Sequence, residues 1–196
     1  MKSIFVRGLA VISFLVGLSS FSNAAVIEYN SLTGFQAGVT SITTIDFTGL
    51  SVGTILSNQY AGLVFTDGND SIVENASAFN DSFGLQGNLE IGIQFSSSMS
   101  AIGAVFPGAL KIELYDTQGG TLLHTSQNFG NSGSGLFGGI SDIEFTYAVL
   151  SDWKDYSVFI DNLYFSETAM PIPEPATVML LGVGLLGLAG VTRKKK

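Results

Sequence analysis

The chain has 196 residues, 24 of them glycine and none cysteine, with a formal net charge of −8. The absence of cysteine excludes disulfide frameworks, thiolate zinc sites and cysteine nucleophiles. Residues 25–168 contain only two basic residues, Lys111 and Lys154, against 15 acidic residues, a net charge of −13. We do not expect a segment this acidic to bind nucleic acid, because DNA binding requires basic side chains that neutralise the phosphates.

Residues 1–24 predict a secretory signal peptide with a short signal helix. Lys2 and Arg7 supply the positive start, and residues 9–18 form a short apolar stretch before small residues. We expect signal peptidase to cleave after Ala24, or after Ala25 as second choice. A retained membrane anchor is the alternative, which the shortness of the apolar stretch disfavours.

Residues 25–168 predict one secreted all-β domain. Apolar and polar residues alternate at 90–95, 110–114 and 143–149, and further strands are expected at 61–65, 101–106, 121–125 and 156–165. Eight or more short strands with one-sided alternation predict an antiparallel β-sandwich or jelly roll. The segments 110–116 and 121–126 are expected to form a hairpin. Residues 31–37 predict a short helix capped by Asn30 or Ser31.

Asp46 and Asp161 are the candidate metal ligands of this domain. Asp161 interrupts an apolar strand, and a buried carboxylate needs a partner or becomes neutral. If the first and last strands pair, Asp46 is the natural second ligand of a structural calcium ion. The alternative for Asp161 is a carboxylate bonded to loop amides or placed at the solvated edge of the sheet.

No catalytic residue is predicted. His124 is the only histidine, so a Ser-His-Asp triad would have to use it, yet the chain has no G-x-S-x-G elbow. We expect His124 to lie on a strand face, hydrogen-bonded or solvated. Trp153 and Tyr156 lie between two predicted strands, where they could stack on sugar rings or cap one end of the sandwich.

The C-terminal segment has three parts in a fixed order. A linker at 169–175 ends in Pro173, Glu174 and Pro175, and is extended because proline does not fit a helix interior. Residues 176–192 are uncharged and mostly apolar and predict a single transmembrane helix of about 26 Å, near the lower limit for a bilayer. The basic residues that follow are expected to stay in the cytoplasm as the end of the membrane segment: Arg193, Lys194, Lys195 and Lys196.

A Pro-Glu-Pro triplet, an apolar helix and a basic terminus in this order resemble the PEP-CTERM sorting domain, over residues 172–196. The resemblance implies cleavage near the triplet by an exosortase, a membrane transpeptidase-like enzyme. It also implies transient residence in the inner membrane and delivery to the cell surface or extracellular matrix of a Gram-negative bacterium that makes exopolysaccharide. A permanent tail anchor is the alternative reading of the same segment.

The β domain also resembles known sequences. Residues 44–50, 53–54 and 58–63 are similar to the opening of PEP-CTERM ectodomains, and residues 159–165 to the last strand of carbohydrate-binding jelly rolls. The resemblance implies a β-sandwich, often with a structural calcium ion, although the family usually has glutamate where this chain has Thr48. We therefore expect a non-catalytic surface or matrix protein associated with exopolysaccharide. The alternatives are a secreted carbohydrate-active enzyme and a permanently membrane-anchored carbohydrate-binding module.

Overall fold

A computed structural model describes residues 25–66, 72–76, 82–130, 136–154 and 156–167. The predicted signal peptide, the linker with Pro173, Glu174 and Pro175, the transmembrane helix and the basic tail lie outside the described residues. Within the described ranges, no helix is long and apolar enough to cross a membrane.

The described residues form one helix and eleven strands. The helix, α1, is Leu32–Gly38. The strands are β1 (Ile27–Tyr29), β2 (Thr43–Ile45), β3 (Leu63–Phe65), β4 (Ile72–Ala76), β5 (Ser82–Gly87), β6 (Glu90–Phe106), β7 (Lys111–Tyr115), β8 (Leu122–Thr125), β9 (Leu136–Ser151), β10 (Val158–Ile160) and β11 (Leu163–Glu167).

The strands form two antiparallel sheets. Eight strands make the larger sheet in the order β2-β11-β6-β9-β7-β8, with β1 beside β9 and β3 beside β6. The smaller sheet has the order β10-β5-β4. Its buried residues Val73, Leu85 and Ile160 belong to the same apolar core as the inner face of the larger sheet. The predicted antiparallel, all-β sandwich is therefore confirmed.

Two long strands, β6 and β9, organise the larger sheet. They contain 17 and 16 residues, whereas strands usually have about five or six. Their pairing is irregular between Gln94 and Met99 and between Met99 and Ala101. The first part of β6 pairs with β3 and the last part with β11. The segments 90–95 and 101–106, predicted as separate strands, are thus one irregular strand.

Helix α1 packs on the outer face of the last part of β6 and the first part of β9. It begins one residue after the predicted start, because Ser31, one of the two predicted caps, accepts the Gly34 N–H with its side chain at 3.2 Å. Phe35 is fully buried, with its ring centroid 5.3 Å from that of Phe137. A Cβ on Gly139 would lie 2.9 Å from Phe35, so glycine lets the helix approach the sheet closely.

The β7–β8 hairpin forms as predicted. The two strands pair antiparallel, and the Asp116 side chain holds the turn by accepting the N–H groups of Thr117 and Thr121, both at 2.7 Å. Gly119 has a φ of 71°, a conformation that glycine adopts without strain. The hairpin therefore follows from local turn chemistry.

The segment 156–165, predicted as one strand, is divided into two. β10 belongs to the smaller sheet and β11 to the larger, so the chain crosses between the sheets at Asp161 and Asn162. Two backbone hydrogen bonds fix this crossing: Asp161 N–H donates to the Val105 carbonyl at 2.9 Å, and Val105 N–H donates to the Asn162 carbonyl at 3.0 Å. Asp161 therefore lies in a link between strands, outside the apolar strand where the alternation had placed it.

Candidate functional site

The strands next to Asp46 and Asp161 do pair. β2 and β11 are antiparallel, with Ile45 opposite Leu163. Continuing that register by one residue puts Asp46 level with Asn162, next to Asp161 in the chain. The two aspartates therefore lie at the same end of this strand pair, which is the arrangement that the calcium expectation required.

The side chains of these aspartates are less buried than the calcium expectation assumed. Asp46 is exposed and Asp161 is half-buried. One carboxylate oxygen of Asp46 accepts the Thr48 hydroxyl at 2.9 Å and the Thr48 N–H at 3.1 Å. These hydrogen bonds hold the pKa of Asp46 below its ordinary value, and the bond from the Thr48 hydroxyl has the largest effect.

A calcium ion would need more ligands than these two carboxylates, because it takes about six to eight oxygen atoms. Among the described residues, no group of three or more histidine, aspartate or glutamate side chains could hold a metal. Carbonyl oxygens and water would have to complete the site. Calcium at Asp46 and Asp161 therefore stays a prediction.

His124 lies on β8 and pairs with a carboxylate from the first strand. Its Nε2 is 2.9 Å from Glu28 Oε1, and the same carboxylate accepts the Gln127 N–H. His124 is thus a hydrogen-bonded residue of a strand, as predicted, and the contact ties β1 to the end of β8.

Trp153 and Tyr156 occupy different environments. The Trp153 indole N–H donates to the Phe129 carbonyl at 3.3 Å, and Lys154 Nζ lies 4.9 Å from the centre of its ring. One face of this ring is therefore already covered. Tyr156 is 69% exposed, so of this pair it is the better placed to meet a ligand.

A different group of side chains forms the best candidate site. We define the tyrosine face as the outward side chains of Glu90, Lys111, Glu113, Tyr115 and Tyr147, which lie on β6, β7 and β9. Along β7 they alternate with Ile112 and Leu114, which are fully buried in the core. The strand register brings them together, since Tyr115 is opposite Tyr147, while Lys111 and Glu90 both lie opposite Ser151.

Aromatic and charged groups contact each other across the tyrosine face. The rings of Tyr115 and Tyr147 are 5.9 Å apart at 55°, and the Tyr147 hydroxyl lies 3.2 Å from that of Thr66. Lys111 Nζ is 3.3 Å from Glu113 Oε1, and both side chains are partly exposed. Polar groups therefore lie around two aromatic rings on the outer side of the larger sheet.

Tyr115 is held in its neutral form by these surroundings. Burial raises its pKa above the ordinary value, and the charge of Glu113 and a hydrogen bond to the same carboxylate raise it further, with smaller effects from Glu90 and Tyr147. The neutral hydroxyl can donate and accept hydrogen bonds. Tyr147 is only 8% exposed, so Tyr115 supplies the accessible ring of the tyrosine face, beside groups that donate and accept hydrogen bonds.

The sequence pattern partly concealed this face. In 143–149 the alternation puts Phe145, Tyr147 and Val149 on one side, but Phe145 is in the core with Ala148 and Leu150. Tyr147 and Val149 lie opposite Tyr115 and Glu113, on the outer side of the sheet. The irregular pairing near Met99 changes which side of β9 faces inward. Only the alternation in β7 could have indicated the face from sequence.

Residues 171–194 match the model of the PEP-CTERM protein-sorting motif. No curated protein sequence matches the chain. Among solved structures, the chain is similar to a family 29 carbohydrate-binding module from Piromyces equi, with 12% identity, a TM-score of 0.40, and 65% of this chain and 92% of that chain covered. A family 6 carbohydrate-binding module matches with 19% identity, a TM-score of 0.38, and 58% and 92% covered.

The chain thus carries a PEP-CTERM sorting motif at residues 171–194, and its described residues form an antiparallel β-sandwich. Such a motif indicates exosortase-dependent export and a place at the surface of a Gram-negative bacterium. The predicted sorting residues Pro173, Glu174 and Pro175 fall inside the matched range.

Proposed function

We propose that this chain is a non-catalytic surface or matrix protein that an exosortase delivers and that contacts exopolysaccharide through its tyrosine face. The observation that carries the delivery step is the sorting motif at residues 171–194. In this proposal signal peptidase removes residues 1–24, residues 176–192 hold the chain in the inner membrane, and the exosortase cleaves near Pro173-Glu174-Pro175.

The polysaccharide contact is supported by the chemistry of the tyrosine face. Aromatic rings offer flat apolar surfaces that stack on other rings and pack against apolar groups. The Glu113 carboxylate and the Lys111 ammonium, 3.3 Å apart, add an acceptor and a donor beside them. This combination suits a sugar ring, which has apolar faces and a polar edge.

The electrostatics favour a neutral or cationic polysaccharide over an acidic one. Residues 25–168 have 15 acidic and two basic residues, and Lys111 is already paired with Glu113. A uronate-rich chain would therefore approach a negative surface without a free lysine on the tyrosine face to receive it. We therefore expect the exopolysaccharide to be neutral or cationic.

Co-sedimentation tests the proposal. The purified full-length chain, kept in detergent, is mixed with exopolysaccharide isolated from the producing bacterium. We expect Tyr115→Ala to weaken binding about three- to tenfold, since an aromatic contact contributes about 0.5–1.5 kcal/mol beyond its buried area.

Tyr156→Ala is the comparison variant, because it removes the same side chain from a position that is 69% exposed and outside the tyrosine face. It should bind as well as the unmodified chain. If Tyr156→Ala weakens polysaccharide binding and Tyr115→Ala does not, the contact lies at Tyr156, and the proposal that the tyrosine face binds is refuted.

A further inference from the structure

A pocket of about 90 Å³ opens where the chain leaves helix α1 and meets β6, β9 and β11. At about 30 Å³ for each water molecule, its volume corresponds to roughly three waters. The polar residues that line it are Thr40, Ser100, Ser141, Asp142, Ser166 and Glu167. We call it the acceptor pocket, and it is separate from the tyrosine face.

All three strands around this pocket are irregular beside it. Asp142 on β9 has a φ of 63°, a conformation that is uncommon outside glycine, asparagine and aspartate. The pairing of β11 with β6 shifts between Ser166 and Glu167, and that of β6 with β9 shifts next to Ala101. Such shifts redirect side chains, and here they leave polar groups around one opening.

The serine hydroxyls of the pocket donate their protons to the protein itself. Ser166 Oγ donates to the Thr40 carbonyl at 2.7 Å, Ser100 Oγ to the Glu167 carbonyl at 3.2 Å, and Ser141 Oγ to an oxygen of Asp142 at 3.1 Å. A hydroxyl has one proton and two lone pairs. Once that proton is used, Ser100 and Ser166 can only accept from a ligand. Ser141 also accepts from the Tyr29 hydroxyl at 3.2 Å, so it has one lone pair left.

The charges that line the pocket also favour a ligand that donates hydrogen bonds. Among the described residues that line it, two are carboxylates and none is basic. The two lysines of the described ranges lie elsewhere, Lys111 beside Glu113 and Lys154 over Trp153. The pocket therefore suits a ligand that donates hydrogen bonds and carries positive charge, and it disfavours anions.

We propose that the acceptor pocket binds the protonated amine of an amino sugar. The carboxylates of Asp142 and Glu167 accept from the ammonium group, and the serine oxygens accept from a neighbouring sugar hydroxyl. An N-acetyl group would remove the charge and add bulk to a pocket of this size, so the pocket selects the deacetylated sugar. The choice of a sugar over another amine rests on the proposed contact with exopolysaccharide.

An NMR titration of the full-length chain in detergent tests this proposal with glucosamine, N-acetylglucosamine and glucose as probes. Glucosamine should shift the amide signals around Ser141, Asp142 and Glu167, with affinity that falls as salt is added. The other two sugars should bind at least about tenfold more weakly, the loss expected when a charged hydrogen bond is removed.

Two isosteric variants locate the site. Asp142→Asn and Glu167→Gln should each weaken glucosamine binding about three- to fivefold, as expected for partly exposed charge pairs. Asparagine tolerates the positive φ of position 142, so the first variant keeps the backbone. Glu144→Gln is the matched control: Glu144 is an exposed carboxylate on the same strand, outside the pocket, and its loss should change nothing.

Equal shifts with glucose and glucosamine would overturn the assignment of the amine. Equal shifts with ethanolamine and glucosamine would overturn the assignment of the ligand as a sugar. Shifts with calcium but not with glucosamine would show that the acceptor pocket is a metal site. Tyr115→Ala should leave the shifts that glucosamine causes at Ser141, Asp142 and Glu167 unchanged. Polysaccharide binding without any glucosamine binding would therefore refute this inference and leave the proposed function standing.

Discussion

Replacing Gly139 by alanine tests how helix α1 is held on the sheet. The new Cβ would lie 2.9 Å from Phe35 Cδ2 and 2.9 Å from Phe137 Cε1, closer than such atoms pack. Phe35 is fully buried and Phe137 nearly so, so neither ring can leave without exposing apolar surface. We expect Gly139→Ala to destabilise the domain by about 1–3 kcal/mol, the usual cost of overpacking.

Thermal unfolding of the full-length chain, followed by circular dichroism, measures this loss. The expected decrease in Tm is roughly 3–10 °C for a domain of this size. Gly108→Ala is the matched control, because a Cβ at Gly108 would meet nothing within 4 Å. That substitution should be neutral or slightly stabilising, by up to about 1 kcal/mol.

A double-mutant cycle identifies the cause. Phe35→Leu removes the ring that the new Cβ would strike, so Gly139→Ala should cost about 1 kcal/mol less in that background. Two results would contradict the close contact between helix α1 and the sheet. One is that Gly139→Ala is as neutral as Gly108→Ala, and the other is that the effects of Gly139→Ala and Phe35→Leu are additive. The acceptor pocket would then lose one of its walls, since the residues after α1 line it.

Three further predictions concern the hairpin, the tyrosine face and the proposed calcium site. Asp116→Ala removes the acceptor of two turn hydrogen bonds and should cost about 1 kcal/mol in urea unfolding, whereas Asp116→Asn should cost less, because its amide oxygen still accepts. The raised pKa of Tyr115 makes its stabilising contribution complete below about pH 10, and the contribution is lost as the pH rises through the higher pKa of the folded state. Tyrosinate absorbance should show this ionisation at lower pH in Glu113→Gln, and an unchanged titration would contradict the contact. If calcium binds at Asp46 and Asp161, about 1 mM calcium should raise Tm and Asp46→Asn should abolish the rise; an unchanged Tm rejects the site.

Features that depend on neighbouring residues could be predicted from the sequence. The helix follows from its Ser31 cap, and the β7–β8 hairpin from a short glycine-containing turn. The sorting motif could also be identified, because its three parts are contiguous and their order is specific. The matched range of 171–194 confirms it.

Features that depend on irregular pairing could not be predicted. Strict alternation places Phe145 and Tyr147 on one face, but the shift near Met99 separates them into the core and the tyrosine face. The alternation places Asp161 inside a single strand, but the chain crosses from the smaller sheet to the larger sheet at this residue. The acceptor pocket brings Thr40, Asp142 and Glu167 together from distant parts of the chain, and no local pattern in the sequence indicates it.

The mass of the mature protein tests the central claim most directly. Protein released from the cell surface of the producing bacterium is purified and its intact mass and C-terminal peptide are determined by mass spectrometry. We expect a chain that starts at Ala25 or Val26 and ends near Pro173-Glu174-Pro175, without the apolar segment 176–192. Surface protein that still ends in Lys194-Lys195-Lys196 would contradict sorting by cleavage and leave a permanent anchor.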